Sequence, residues 1–182
     1  MTVPNTFRQS RETSLVNYNY TDIANGVGFS TFYGCYDSSG NYNLIPINED
    51  SHMTGGGNLN TGTTYLFKTS AFNLPRRVRG NLYLHTEDLC SSDGVYSFTV
   101  QVKILRDSSY IDISSTISTS WDETNSSNWR EYLTTIPLTE TNIKLGDVLV
   151  LEIIRTNRSG TYFNNPSDGR RFAAYVPFEI NK

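Results

Sequence analysis

The sequence is poor in the residues that most enzymes use for their chemistry. Its 182 residues include only two histidines, His52 and His85, and two cysteines, Cys35 and Cys90. The two cysteines are 55 positions apart and form no zinc-ligand pattern. We therefore expect a protein that is not an enzyme and that has no cofactor. Whether Cys35 and Cys90 pair stays open at this point.

Charge is also scarce. Charged residues make up 18% of the chain, the net charge is -3 and the isoelectric point is near 5.3. General nucleic-acid binding needs a summed positive field, so this class of function is not expected. No stretch approaches the roughly 18 apolar residues of a membrane span, and the residues after Met1 form no signal peptide. We expect a protein that is made and kept soluble, without a membrane partner.

Polar uncharged residues and aromatic residues fill the chain instead. Ser, Thr and Asn together make up about a third of it, and aromatic residues reach 13%. Tyr, Phe and Trp can supply the apolar burial that Leu supplies in other proteins, so the low hydrophobic fraction of 37% does not indicate disorder. This composition is typical of a β-sandwich or barrel, and the length favours one domain.

The most regular pattern lies between Val95 and Trp121. Apolar and polar residues alternate strictly in the first half of this stretch, which places five apolar side chains on one face of a strand: Tyr96, Phe98, Val100, Val102 and Ile104. After a turn at Arg106–Ser109 the alternation resumes, with Ile111, Ile113, Ile117 and Trp121 on the corresponding face. We predict a long antiparallel hairpin whose apolar face is covered by a second sheet.

Similar patterns predict seven further strands, at Val16–Tyr20, Phe29–Tyr33, Tyr42–Ile47, Thr64–Thr69, Arg79–His85, Trp129–Leu138 and Val148–Ile154, and a last one at Phe172–Ile180. The nearly continuous apolar run Val148–Ile154 belongs in the middle of a sheet, and Pro177 marks an edge or a bulge. We predict turns at Glu87–Gly94 and Gly146–Asp147, the latter with Ile143 and Leu145 as anchors, and a long loop at Asn48–Thr63.

The predicted fold is therefore all-β. A two-sheet antiparallel, jelly-roll-like β-sandwich fits best, and an immunoglobulin-like sandwich is second. Residues 1–14 are polar and lack periodicity, so we expect an N-terminal arm that is mobile or ordered by a neighbouring subunit. Residues 15–182 form a single β-sandwich domain.

Catalytic and metal-binding arrangements are weak in this sequence. His85 and Cys90 are five residues apart, but that spacing matches no nucleophile–histidine motif. His85, Glu87 and Cys90 together form a metal-ligand set without a fourth member. The adjacent acids Asp122 and Glu123 are better explained as solvated loop charges than as a glycosidase pair. We expect neither a catalytic residue nor a metal ligand among them.

Two tryptophans are candidates for glycan contact. Trp121 and Trp129 flank a polar loop, where an exposed indole ring could stack on a sugar. Trp121 continues the inward alternation of its strand, which favours a position in the core. Trp129 begins the next strand and is the better surface candidate.

Arginine clusters are the candidates for contact with acidic protein partners. They occur at Arg76, Arg77 and Arg79 and at Arg170 and Arg171. Ordinary solvated strand ends are the alternative interpretation of both clusters.

One segment resembles a known group of proteins. Residues 18–34, YNYTDIANGVGFSTFYG, resemble a pattern in small β-sandwich proteins of tailed-phage virions, carried by Tyr18, Thr21, Asp22, Ile23, Gly26, Gly28, Phe32, Tyr33 and Gly34. Residues 144–153, KLGDVLVLEI, are similar to a strand entry in viral and carbohydrate-binding jelly rolls.

The resemblance implies a structural virion component, such as a head decoration or cement protein or a module of a fibre or tail. Its partners would be major capsid or tail proteins, and it would act as a homo-oligomer, for example a trimer, in virions assembled in the host cytoplasm. The alternative is a glycan-binding module for host attachment. An enzyme such as a glycan depolymerase is a third, weaker hypothesis.

Overall fold

The computed structural model describes residues 6–8, 15–17, 27–36, 39–46, 58–90, 93–123, 128–157, 160–161 and 172–179. Within these ranges all regular secondary structure is β, and no helix occurs that could cross a membrane. The strands are β1 (Thr6–Arg8), β2 (Leu15–Asn17), β3 (Val27–Tyr36), β4 (Tyr42–Ile45), β5 (Asn58–Leu59), β6 (Thr64–Lys68), β7 (Arg76–Cys90), β8 (Gly94–Arg106), β9 (Ser109–Asp112), β10 (Ile117–Glu123), β11 (Asn128–Ile143), β12 (Val148–Asn157), β13 (Gly160–Thr161) and β14 (Ala173–Glu179).

Two antiparallel leaves form the body of the molecule. The first leaf has the order β10-β8-β12-β6, with β9 beside β10 on the same edge of β8. The second leaf has the order β4-β3-β14-β7-β11. A parallel bridge between Asn43 of β4 and Lys68 of β6 joins the leaves into one curled, mixed sheet. The predicted two-layer, jelly-roll-like β-sandwich is confirmed. In the described residues, this bridge and a second parallel bridge between Thr61 and Arg155 are the exceptions to antiparallel pairing.

The hairpin predicted at Val95–Trp121 forms one side of the first leaf, and its second strand is divided into β9 and β10, which pair with the same edge of β8. All five alternating apolar residues of β8 are buried, and all but Tyr96 belong to the hydrophobic core that also contains side chains of the second leaf. Burial of such side chains contributes roughly 1.5–3 kcal/mol each, which is why period-two patterning dictates this strand. The turn to β9 has positive φ angles at Asp107 (48°) and Ser108 (66°), the values of a type I′ hairpin turn.

β12 occupies the middle of the first leaf, as predicted from its apolar run. It pairs with β8 on one side and with β6 on the other. Leu149, Val150 and Leu151 are consecutive buried residues, so this strand is covered on both faces. Lys68 and Lys103 lie on either side of Val150 in register, on the outer face of the leaf.

Aromatic rings fill the junction between the leaves. The ring centroids of Tyr42 and Phe67 are 5.1 Å apart, and those of Phe67 and Phe172 are 4.9 Å apart. Tyr65 contacts Tyr42 at 5.0 Å. Burial raises the pKa of the Tyr42 hydroxyl, because the neutral phenol is favoured where water is excluded.

At the other side of the curled sheet, β10 and β11 approach without a shared ladder. The hydroxyls of Thr119 and Thr134 are 3.3 Å apart. The Thr139 backbone N–H donates to the carbonyl of Ile113, which lies between β9 and β10, at 2.7 Å. Side chains and single hydrogen bonds, and not a continuous ladder, therefore hold these two edges together.

Two predictions about local structure were wrong. β7 continues through Glu87 to Cys90, where we predicted a turn, because these residues pair with Asn128–Glu131 of β11. Tertiary pairing outweighs the turn preference of the local sequence here. Leu145, predicted to anchor the β11–β12 turn, is 68% exposed, although the turn itself forms with a φ of 88° at Gly146.

Other predictions needed smaller changes. Pro177 lies in β14, which is an interior strand between β3 and β7, so the edge position is wrong; the register shift beside it shows that the bulge is right. The predicted loop Asn48–Thr63 includes the short strand β5. In the predicted N-terminal arm, β1 pairs with β2 of the same chain; the other residues of the segment 1–14 lie outside the described ranges.

Candidate functional site

Three connecting segments meet at one end of the sandwich: the β8–β9 turn, the β11–β12 turn and the segment between β6 and β7. The Phe72 backbone N–H donates to the Asp147 carbonyl at 2.8 Å, and the Gly146 N–H donates to the Phe72 carbonyl at 2.8 Å. Arg106, the last residue of β8, reaches Asp147 with its side chain. This end is therefore built from three parts of the chain that fix one another.

The Arg106–Asp147 pair is the central polar contact of this end. Arg106 Nε donates to Oδ1 at 2.9 Å and Nη2 donates to Oδ2 at 2.6 Å. The Lys144 backbone N–H donates to Oδ2 at 2.7 Å. The hydrogen bond from Arg106 holds the pKa of the buried Asp147 carboxyl below its ordinary value, although burial alone would raise it.

Large apolar side chains are exposed around this fixed end. We call Leu74, Tyr110, Ile111 and Leu145 the apolar end; each is more than a third exposed to solvent. Ile111 was predicted to face the core, but β9 is at the sheet edge and all four of its residues are exposed. Within the described ranges β9 pairs only with β8, so its outer backbone edge is open there.

The opposite end of the interior holds an aromatic cluster around Trp121. Its ring stacks on Tyr132 with centroids 4.0 Å apart and lies parallel to Tyr96 at 6.0 Å. The guanidinium of Arg155, a residue with 0% exposure, lies 5.1 Å from the Tyr96 centroid and 5.5 Å from the Trp121 centroid. Trp121 also packs against the hydrophobic core, the position that its inward alternation favours.

Trp129, the other predicted glycan contact, is a backbone member of β11 opposite Leu89. The position of its side chain lies outside what the structure describes. The adjacent acids Asp122 and Glu123 cannot be compared as a pair of side chains. Asp122 is exposed, and the side chain of Glu123 lies outside what the structure describes.

The first arginine cluster makes contacts within the chain. The Arg76 guanidinium lies 5.2 Å from the Phe178 ring centroid. Arg77 pairs with Glu140 and, at 3.3 Å, with Glu179. Arg79 is half-buried in β7. Arg77, proposed to meet acidic residues of a partner, thus already has two acidic neighbours of its own.

The second arginine cluster, Arg170 and Arg171, lies outside the described residues, as do the Cys90 side chain and His52. Cys35 is a buried residue of β3. Of the Cys90–His85 pair, whose spacing matches no catalytic motif, only the His85 side chain is described.

Aromatic side chains also line the outer surface of the second leaf. We call Phe29, Tyr33, Tyr83 and Tyr175 the aromatic face; all four are half-buried. Tyr175 is directly opposite Tyr83 in register, and the Phe29 and Tyr83 rings are 5.7 Å apart. Such rows can present ring faces to a ligand, and sequence reasoning missed them because their residues come from three distant strands.

The aromatic face is not fully open. Ala173 is on the same outer face, directly opposite both Tyr33 and His85, and is buried. Thr31, opposite Tyr175, is buried as well. Much of each ring is therefore already in contact with the protein.

A cluster of metal-ligating side chains lies beside the aromatic face. His85 and Glu87 are two residues apart on β7, and Glu131 of β11 is directly opposite Glu87. One ligand atom from each side chain lies within 4.8 Å of the others. Sequence reasoning grouped His85 and Glu87 with Cys90 and missed Glu131, because the pairing of β7 with β11 cannot be read from spacing.

Comparisons with known proteins identify the fold and no family. No protein-family model matches the sequence, and no curated protein matches it significantly. A CocE/NonD family hydrolase from Staphylococcus aureus aligns with 84% of this chain at 9% identity and a TM-score of 0.64. An α-amino acid ester hydrolase aligns with 83% of it at 7% identity and a TM-score of 0.60.

These alignments cover only part of the hydrolases. The chain spans 37% of the length of the first and 36% of the length of the second. A carbohydrate-binding module specific for non-crystalline cellulose, CBM28, aligns with 96% of this chain at 10% identity, but its TM-score of 0.43 is too low to support a conclusion. At these identities, the likeness to the hydrolases shows a shared β fold alone.

Proposed function

We propose that this chain is a non-enzymatic structural protein of a virion, which docks through its apolar end on neighbouring capsid or tail proteins. The protein acts as a rigid body that offers a surface, and its copies associate into a homo-oligomer, for example a trimer, on the particle. In this proposal it is assembled into virions in the host cytoplasm and needs no cofactor.

The observation that carries the docking proposal is the position of the exposed apolar residues. Leu74, Tyr110, Ile111 and Leu145 lie on or next to the three segments that meet at one end. The Arg106–Asp147 pair, whose carboxylate is buried, joins two of these segments, and the Phe72 backbone joins the third. Exposed apolar groups on a rigid support favour association, because little conformational entropy is lost when they are buried by a partner. The open edge of β9 adds backbone groups that a partner strand can pair with.

The virion setting is supported by the resemblance of residues 18–34 to tailed-phage β-sandwich proteins. Phe32, Tyr33 and Gly34 of that segment lie in β3, where Phe32 is buried and the Gly34 N–H donates to the Phe172 carbonyl at 2.9 Å. The hydrolase activities named for the structural neighbours are not proposed here, since this chain spans little more than a third of either enzyme.

The docking proposal is tested with a charge-introducing double variant, Leu74→Lys with Leu145→Lys. Both side chains are exposed, so we expect the fold to be retained. Self-association, measured by analytical ultracentrifugation, and co-sedimentation with cognate virions should both weaken by at least about tenfold, since loss of one interface hot spot costs that much.

Leu133→Lys is the matched control. Leu133 is 65% exposed but lies on the outer face of the second leaf, away from the apolar end. It should leave both measurements unchanged. A native chain that stays strictly monomeric and does not bind virions would contradict the proposal, as would equal effects of the double variant and the control.

Glycan binding for host attachment is the second candidate, favoured by the aromatic face. Half-buried tyrosine rings on a sheet can stack on sugar rings, and Tyr83 and Tyr175 are neighbours in register. A glycan array should then show saccharide binding that is lost in Tyr175→Ala with the fold intact. Trp129→Ala tests the remaining tryptophan candidate in the same assay. An array without any bound saccharide would remove this candidate.

A further inference from the structure

We propose that His85, Glu87 and Glu131 bind one divalent first-row metal ion, with Zn²⁺ as the preferred ion. This site is independent of the docking end and connects β7 to β11 on the outer face of the second leaf. The ion would act as a structural clip between these two strands.

Strand pairing brings the three ligands together. His85 and Glu87 have the i, i+2 spacing that places both side chains on one face of β7, while Leu84 and Thr86 face the interior. Glu131 is the register partner of Glu87, and Leu133 is the register partner of His85. Glu131 is therefore the diagonal neighbour of His85, and all three side chains point to the same side of the sheet.

The distances match what a metal ion requires. His85 Nε2 and Glu131 Oε2 are 3.5 Å apart. Zinc takes nitrogen and oxygen ligands at about 2.0–2.1 Å, so two ligands of a tetrahedral site lie about 3.3 Å apart. With all three ligand atoms within 4.8 Å of one another, modest side-chain rotations would complete the set.

The charges also favour a cation at this position. Glu87 and Glu131 are two carboxylates directly opposite each other on neighbouring strands, an arrangement that destabilises a sheet when both are charged. Glu87 is only 6% exposed, so water screens its charge poorly. A divalent ion between the two carboxylates would convert this repulsion into attraction.

The donor set selects the class of ion. One imidazole nitrogen and two carboxylate oxygens suit zinc and related first-row ions, whereas Ca²⁺ and Mg²⁺ prefer sets made of oxygen alone. The Glu131 side chain is 72% exposed, so solvent has access to the site from that side. Three protein ligands leave a fourth position of a tetrahedral ion for water.

The test uses the full chain without a histidine tag, freed of metal by a chelator and then titrated with Zn²⁺ in a calorimeter. We expect one ion per chain and a rise in the thermal unfolding midpoint on binding, because a ligand that binds only the folded state stabilises it. Glu131→Gln, a change at an exposed position, should weaken the affinity by at least about tenfold, and His85→Ala should do the same. The absorption spectrum of the Co²⁺-loaded chain should indicate four-coordinate geometry and change in both variants.

Glu152→Gln is the matched control. Glu152 is on the outer face of the first leaf, where Lys103 Nζ lies 2.9 Å from its carboxylate. Its substitution should leave the Zn²⁺ affinity unchanged. Absence of Zn²⁺ binding, binding that survives both Glu131→Gln and His85→Ala, or a preference for Ca²⁺ or Mg²⁺ over Zn²⁺ would each overturn the proposal.

Discussion

The indole ring of Trp121 lies against the ring of Tyr132, with centroids 4.0 Å apart and planes 29° apart. These residues belong to β10 and β11, the two sheet edges that meet without a ladder. The ring pair and the Thr119–Thr134 contact replace ladder hydrogen bonds between these edges, so Trp121 stabilises the fold. It is therefore a poor candidate for a glycan contact.

The first prediction concerns the contribution of Trp121 to stability. Trp121→Ala should lower the free energy of unfolding by about 2–4 kcal/mol, because it removes ring contacts with Tyr96 and Tyr132 and leaves a cavity. Trp121→Phe should cost less, since it keeps a stacking ring. Urea unfolding of the variants measures both values. An alanine variant as stable as the native chain would mean that the ring is not a structural element.

The second prediction concerns Gly34, which lies under the ring of Phe172. A Cβ atom at Gly34 would be 2.0 Å from Phe172 Cδ1, and the ring cannot withdraw freely because it stacks on Phe67. Gly34→Ala should therefore cost about 1–3 kcal/mol through overpacking. Adding Phe172→Leu should cost less in the Gly34→Ala background than in the native chain. Strict additivity of the two changes in a double-mutant cycle would refute this contact.

The third prediction concerns acid stability and Asp147. Its folded pKa lies below the ordinary value of 3.8, so the folded state favours the charged form more than the unfolded chain does. This stabilisation is complete above about pH 4 and is lost as the pH falls through the folded pKa.

Asp147→Asn tests this pH dependence. The variant should be less stable than the native chain near neutral pH, and the difference should shrink below about pH 4. Unfolding midpoints measured from pH 6 to pH 2 check this. A difference that is constant over the whole range would show that the carboxylate charge is not the cause.

The fourth prediction concerns Thr86, whose side chain is buried on the inner face of β7. Its Oγ1 makes no hydrogen bond within the described ranges. Thr86→Val keeps the shape and removes the hydroxyl, so we expect stability to rise by about 1 kcal/mol. Thr134→Val is the comparison, because the hydroxyl of Thr134 lies 3.3 Å from that of Thr119. A clear loss of stability in Thr86→Val would show that this hydroxyl has a partner.

The order of apolar and polar residues along the chain was enough to predict most of the fold. The alternation from Tyr96 to Ile104 and the apolar run after Val148 each identified a strand and its environment, because burial of apolar side chains dominates the energy of these segments. The pattern failed where pairing decides the structure. Glu87–Cys90 has the composition of a turn, but 14 residues of β11 pair with β7, and that ladder extends through this segment.

The candidate site was less predictable than the fold. Arg106 and Asp147 are 41 positions apart, and no local signal connects them. His85 and Glu87 were visible as neighbours, whereas Glu131 joins them only through strand register. Sites assembled from distant strands depend on topology, which residue spacing along the chain does not reveal.

The most direct test of the proposed function is a cryo-electron microscopy map of the cognate virion. We predict repeated copies of this β-sandwich on the particle, with Ile111 and Leu145 of the apolar end buried against a neighbouring protein. Purified virions that lack the chain, or copies whose apolar end faces solvent, would contradict it.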